Sequence, residues 1–332
     1  MSHSRTDVLA LGNAIVDVIA SAEEDFLAQH DLAKGAMMLI DEARAEALYA
    51  AMGPGKVISG GSAANTIAGL ASFGGKGAFI GKVKADELGK IYRHDLTSLG
   101  VSFDTAFATD GPATARSFII VTPDGERTMN TYLGACQGLT VGDVDAKAVE
   151  NADIIYLEGY LWDPPAAKEA FRKASEIAHK AGGRVAITLS DSFCVDRYRD
   201  EFLGLIRNRM VDIVFANEHE LKSLYQTADF ETALAALRAE NILAAVTRSE
   251  KGALAVTPDG IVAEPVFPVE RIVDSTGAGD LFAAGFLFGL TSGREVRDAL
   301  RLGALAAAEV ISHVGARPDM NLKVLAGNEG LL

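Results

Sequence analysis

Cysteine is nearly absent. Cys136 and Cys194 stand in unrelated contexts, with no CxxC pair and no His/Cys grouping at metal-ligand spacing, so neither a disulfide framework nor a structural zinc site is expected. Positive charge is also short: 31 Lys and Arg face 45 Asp and Glu, a net charge of −14. Without surplus cations to neutralise phosphates, nucleic acid is not an expected partner. A small anionic ligand responds to local charge and stays open. Long hydrophobic runs are missing, and the longest near the C-terminus, 281–290, is about half the length needed to cross a bilayer. The start, "MSHSRTDVLALGNAIVDVIAS", has no basic region ahead of its apolar stretch, and Asp7 and Asp17 interrupt it. These absences predict a soluble protein in a reducing cytoplasm with no membrane partner. Two nucleotide motifs are lacking as well. "KGAFIGKV" has neither the first Gly nor the Ser/Thr of a Walker A loop, and no GxGxxG follows a first strand, which counts against a nicotinamide oxidoreductase.

What is present is a core-forming chain, 49% hydrophobic over 332 residues, with no Gly/Ser-rich or Pro-rich linker and no internal repeat. "DVLALG" and "AIVDVIAS" read as strands around a turn at Gly12-Asn13. Helical patterns near 42–51, after the Gly-Gly turn in "GKVISGGSAANTIAGLASFG", in "DELGKIYRHDLTSLG", from "HELKSLY", and near 166–181, 198–208, 231–240, 280–290 and 296–312 alternate with apolar runs such as "ADIIYLEGY", "RVAITLS", "VDIVFAN" and "NILAAVTRS". Strands alternating with helices predict an α/β fold, a central mostly parallel sheet flanked by helices. "ARSFIIVTPDGERTMNTYL" is instead two β-rich runs around Pro123-Asp124-Gly125, a hairpin. It is expected either to cover a pocket or to be an ordinary edge hairpin.

The stretch "DSTGAGDLFAAGFLFGL", 274–290, joins a polar glycine turn to a helix with no polar face. The first turn of a helix has N–H groups without internal partners. Gly277, Ala278 and Gly279 have little or no side chain, so a ligand can approach those donors at the positive end of the helix dipole, an anion site. Asp280 can there remove a proton from a hydroxyl. The plainer reading, a turn followed by a first-turn acid, also fits a lone Gly-x-Gly-Asp.

"DSTGAGD" resembles the C-terminal signature of the ribokinase-like (PfkB) carbohydrate and nucleoside kinases, with Ser275 where Thr is common. "GGSAANTIAGLASFGGKGAFIGKVKADELGK" resembles their N-terminal signature, and the likeness extends over nearly the whole chain. It implies a single ribokinase-like domain over 1–332 with a small β-rich lid built from about 14–20, 35–40 and 103–133. It implies Asp280 as catalytic base, Gly277, Ala278 and Gly279 as anion hole, and Asp17 as clamp on sugar hydroxyls, with Asn13 a weaker transfer. "NEHE" resembles a family motif associated with magnesium and phosphate, implying Asn217 in the ATP site and Glu220 on Mg²⁺ through water. "TRSEKG" matches the nucleotide loop at Thr247, Ser249 and Gly252, Ser249 standing for a usual Gly. Asp274 lies where relatives hold a monovalent cation, so K⁺ joins Mg²⁺ as an expected cofactor.

Other candidates come from the residues alone. Gly60 and Gly61 let backbone amides meet an acceptor, or simply turn from strand to helix, and Asn65 follows one helical turn later. Met37 and Met38 can pack a flat base or the core. Arg116 in the hairpin can approach phosphates or face water. The look of "GNAIVDVIA" and "KGAMMLID" is closer to adenosine kinase and its bacterial relatives than to ribokinase. A nucleoside needs an apolar slot, which Met37, Met38, Phe103, Phe118 and Tyr132 can supply. A ribonucleoside, adenosine first, is the expected acceptor of the ATP γ-phosphoryl group. A free sugar such as ribose or fructose is the alternative, and a non-catalytic binder of the same fold a further one. Monomer and homodimer both stay open.

Overall fold

The computed structural model describes residues 5–332. Its strands are β1 (Thr6–Leu11), β2 (Ile15–Ser21), β3 (Met37–Leu39), β4 (Lys56–Gly60), β5 (Gly77–Ile80), β6 (Ala115–Val121), β7 (Arg127–Tyr132), β8 (Ala152–Glu158), β9 (Arg184–Thr188), β10 (Ile213–Asn217), β11 (Leu243–Thr247), β12 (Ala253–Thr257) and β13 (Gly260–Glu264). Eight form one sheet in the order β13-β12-β11-β10-β9-β8-β1-β5. From β5 to β11 all pairings are parallel, and β12 and β13 add an antiparallel edge. The parallel strands are buried on both faces, which is why β8 and β10 read as unbroken apolar runs rather than alternating ones.

The second sheet runs β3-β7-β6-β2-β4. Its hairpin turns where expected, with Gly125 N–H donating to Thr122 O at 2.8 Å. Two features differ from expectation. β4, which reads only as the approach to a glycine turn, pairs antiparallel with β2. The stretch 103–113 contributes no strand to this sheet. Phe103 instead packs edge-on against Phe79 and Tyr92 in the core, each at 5.6 Å between centroids.

Among the helices, Ser192–Arg207 starts earlier than its periodicity suggests. Asp191 caps it through Cys194 N–H at 2.7 Å, and non-helical geometry at Tyr198 breaks the repeat that only the later half displays. Glu24–Gln29 and Leu322–Asn328 are too short for a periodic signal. Both cysteines are buried free thiols. No helix among the described residues is long and apolar enough to cross a membrane.

Helix Ala278–Thr291 is buried through Leu281, Phe282, Ala283, Ala284, Phe286 and Leu287. Its N-terminus therefore has one fixed position, beside the carboxyl ends of the parallel strands. In open α/β sheets that end is where ligands bind, and the second sheet covers it. Phe286 meets Phe215 of β10 edge-on at 5.6 Å, tying helix to sheet. Phe286→Ala should lower stability by about 3–5 kcal/mol, read as a reduced urea midpoint at unchanged slope.

Candidate active site

A cavity of ≈1340 Å³ fills the crevice, and its wall includes Asn13, Glu158, Thr188, Asn217 and Thr247, at or just beyond the carboxyl ends of β1, β8, β9, β10 and β11. The second sheet closes one side, and strand alternation selects which of its residues face in. Asp17 pairs with Ser117 across β2–β6, Ser117 with Thr131 across β6–β7, and Leu39 with Thr131 across β3–β7. These four form one row into the cavity, with Met37 and Met129 in the next. The same parity turns Met38 and Arg116 away. Met38 is not part of the cavity wall; Met37, expected there with it, does line the cavity, and Leu39 lines it in place of Met38. Arg116 pairs with Glu46 on helix Glu42–Ala51, beside the rings of Phe118 and Tyr132. Those two rings and Phe103 belong to the core, not to a base slot. Aromatic groups do line the cavity elsewhere: Tyr160, Phe193, Phe215, Phe267 and Phe282.

Asp280 sits in the first turn of helix Ala278–Thr291. One carboxylate oxygen accepts from Ser62 Oγ at 2.6 Å and the other from Asn65 Nδ2 at 3.0 Å. Both donors lie on helix Ser62–Ser72, which begins directly after the Gly60-Gly61 turn. Burial raises the Asp280 pKa, opposed by these two bonds and by the charge of Arg317. Gly277 caps the helix at φ +80°, and a Cβ there would lie 2.8 Å from Ala316, so glycine is required on both counts. Ala278 N–H reaches Ser275 O only at 3.3 Å, and the N–H groups of Gly277 and Gly279 find no backbone acceptor among the described residues. Those donors face the cavity, which all three residues line.

Asp17 is held above Gly60, where any Cβ would meet its carboxylate at 2.3–2.6 Å. Burial pushes its pKa up to about 6, with Arg317 and Arg127 pulling down. Asn13 is fixed by Glu158: its Nδ2 donates to Glu158 Oε1 at 2.7 Å and its backbone N–H to the same oxygen at 3.2 Å. Ala63 N–H donates to the other Glu158 oxygen at 2.9 Å, and burial raises Glu158 to about 7. Asp274, expected near a cation, is instead paired with Arg127 of the second sheet. It also accepts from Gly315 N–H at 2.8 Å and Thr276 N–H at 3.0 Å. The charge nearest this carboxylate is thus the Arg127 guanidinium.

At the other end, Thr247, Ser249 and Gly252 all line the cavity. Ser249 adopts φ +49°, the left-handed conformation that glycine takes without strain. Ala253, Ala304, Ala307, Ala308, Ile311 and Phe267 make an apolar wall beside it. Asn217 and Glu220 form a reciprocal cap: Glu220 N–H donates to Asn217 Oδ1 at 2.9 Å, and Asn217 N–H to Glu220 Oε2 at 2.9 Å. The Asn-x-x-Glu spacing is thus a capping box as well as part of the cavity wall. Burial raises Glu220 to about 7, with Asp191 adding to the rise. No group of three metal-ligating side chains occurs among the described residues.

Ser62, Glu158, Arg127 and Arg317 escape the sequence reading. Ser62 had a signal in its place beside Gly61, and Glu158 in being the lone acid that ends an apolar strand. The two arginines have none, since their partners lie 147 and 252 residues away.

Comparison with known proteins identifies the class. The chain belongs to the pfkB family of carbohydrate kinases, matched over residues 37–322. It is therefore a phosphotransferase with an alcohol group as acceptor, on the ribokinase-like fold. It is similar to the structure of a probable sugar kinase from Rhizobium etli, at 52% identity and TM-score 0.92 over 99% of this chain and 100% of the other. It is equally similar to the structure of adenosine kinase from Sinorhizobium meliloti, at 52% identity and TM-score 0.91 over 98% and 99%. An ATP-dependent ribose-1-phosphate kinase from Halopiger xanaduensis is 31% identical over 78% of this chain and 82% of its own length.

The raised pKa of Asp17 fixes a sign. Its folded value, about 6, exceeds the unfolded 3.8, so stability is full below the unfolded value and is lost as pH rises toward 6. Asp17→Asn should therefore gain thermal stability relative to the native chain as pH goes from 4 to 7. A difference that stays flat across that range would contradict the shift.

Proposed function

We propose that the protein transfers the γ-phosphoryl group of ATP to a primary hydroxyl of a ribonucleoside, adenosine first among them. The observation that carries this reading is the make-up of the acceptor end. Asp17, able to accept from two vicinal hydroxyls, faces the same space as Met37, Leu39, Leu133, Tyr160 and Phe193. A free sugar needs polar contacts on every side, whereas a nucleoside fills an apolar slot with its base. The adenosine kinase of Sinorhizobium meliloti supports the same choice. A phosphorylated acceptor is less well served, because the groups there are the carboxyls of Asp17, Glu158 and Asp280 and Arg317 is committed to Asn65 and Ser59.

In this reading Asp280 takes the proton of the acceptor hydroxyl, and the amides of Gly277, Ala278 and Gly279 stabilise charge developing on the transferred group. Asp17 holds the ribose hydroxyls, with Asn13 beside it on its Glu158 anchor. Thr247, Ser249 and Gly252 flank the nucleotide, with the alanine-rich wall against its base. Asn217 keeps Glu220 facing the phosphate region. Glu220 is a buried carboxylate with no cation bonded to it, which fits a magnesium ion held chiefly by phosphates and water. That ion would supply charge neutralisation on the transferring phosphates. The second sheet acts as a lid that excludes water from the reaction. Location in the cytoplasm fits the composition.

The test is ADP release with Mg-ATP against adenosine, inosine, ribose, fructose and ribose 1-phosphate, each with and without potassium. Strong turnover of adenosine with little on ribose is expected. The reverse would install the free-sugar reading that the Rhizobium etli relative's name favours. Asp280→Asn should lower kcat by about 10²–10⁴-fold while leaving acceptor binding largely intact, and an active variant would remove it as base.

A further inference from the structure

We propose that Arg317 is a positioning residue for phosphoryl transfer: its guanidinium orients Asn65 toward Asp280, and its charge keeps the carboxylates of Asp17 and Asp280 ready for their tasks. The proposal rests on the reading of Asp280 as the base. Arg317 belongs to neither signature and is not part of the cavity wall, so any effect it has passes through other residues.

The orientation follows from donor and acceptor inventories. Arginine has only donors and an ionised carboxylate only acceptors. Arg317 Nε meets Asn65 at 2.8 Å and must find its carbonyl oxygen, which leaves the amide Nδ2 for Asp280 at 3.0 Å. Each neighbour permits the same single rotamer of the amide, so Asn65 relays the guanidinium to the carboxylate. Arg317 is itself anchored, Nη2 donating to Ser59 O at 2.8 Å and Ser59 Oγ at 3.0 Å. Ser59 in turn is held by Asp95, which accepts from its N–H at 2.8 Å. Lysine has no planar fork to make both contacts at once.

The charge has a second effect. Arg317 is faced by Asp17 of β2, by Tyr92 and Asp95 of helix Glu87–Ser98, and by Asp280. Asp280 is further coupled to Glu158 and Tyr156 of β8, and Asp17 to Arg127 of β7. Arg317 lowers both Asp17 and Asp280 against the rise that burial imposes. A base must be ionised to act, so loss of this cation moves the requirement to higher pH.

The experiment compares the native chain with Arg317→Met, Arg317→Lys and Arg317→Gln, with Asp280→Asn in parallel. Single-turnover phosphoryl transfer from Mg-ATP to adenosine is followed from pH 5 to pH 9, and the thermal midpoint from pH 5 to pH 8. For Arg317→Met the acid limb of the rate should move up by about one pH unit, with a loss of tenfold or more at pH 6 that narrows toward pH 9 and little change in the KM for ATP. Arg317→Lys keeps the charge and should hold the limb near its native place while losing rate at all pH values. Arg317→Gln, which retains a donor for Asn65 and loses the charge, should shift the limb as Met does, and serves if Met unfolds. Without substrate, the stability gap between Arg317→Met and the native chain should widen as pH rises, because the carboxylates' folded values move further above their unfolded ones. An acid limb and a stability gap independent of the charge at position 317 would overturn the proposal. If that happens while Asp280→Asn is inactive, the kinase reading stands without Arg317. An active Asp280→Asn brings down the reading of the base, and the pH-dependent stability gap then decides separately whether Arg317 governs the charge of the site.

Discussion

The opening turn of helix Ser62–Ser72 is the constraint on which the site depends. Within two residues it sends Ser62 Oγ to Asp280 and Ala63 N–H to Glu158, and one turn later Asn65 reaches Asp280 again. Three acids, Asp17, Glu158 and Asp280, thereby share one cavity floor although burial opposes the ionised form of each. Fixed neutral dipoles hold Glu158 and Asp280, whereas Asp17 is lowered by the charges of Arg317 and Arg127. A ring of lysines would neutralise the acids but also compete for the nucleotide. Backbone and amide donors stabilise a carboxylate without that competition, and the N–H groups of Gly277 and Gly279, on the cavity wall, have no backbone acceptor among the described residues.

Much of this arrangement was legible in the sequence because the candidate residues cluster in two short stretches with strong local physics. A glycine turn entering an apolar helix predicts both the buried helix and its exposed N-terminal donors, and Asp280 is where such a reading puts a base. Gly60, Gly61 and Asn65 follow from the same logic at the other signature. The alternation of strands and helices likewise leads to the parallel sheet, and so to the end of it at which a cavity forms.

The errors are errors of parity and of distance. Met38 and Arg116 were chosen by residue type, but a strand gives its two faces to different environments, and nothing local tells which face of a short strand such as β3 is inward. Only the pairing Leu39–Thr131–Ser117–Asp17 fixes it. Arg116 then faces helix Glu42–Ala51, and Leu39 joins the expected Met37 in place of Met38. Asp274 was assigned a cation on resemblance, and the partner it has is Arg127, from a strand far away in the chain. Arg317 was invisible for the same reason: its meaning resides in Asn65 and Ser59, with which it shares no spacing.

The end of the cavity around Ser249 was hard to see for a different physical reason. Its wall is made largely of alanines, Ala253, Ala304, Ala307 and Ala308, and alanine in a helix reads as propensity rather than as site. Yet three of these lie on one stretch of helix Val296–Val310, where larger side chains would fill the space the cavity has there. The contribution of such residues is volume left empty beside an apolar surface. Ser249 acts in the same negative sense: it accepts a left-handed backbone without glycine's freedom, so the surrounding loop must impose it. That the loop does so, with Arg248 N–H bonded to Gly252 O at 2.8 Å across its neck, makes the turn's shape, rather than the identity of its first small residue, the feature that puts this loop on the cavity wall.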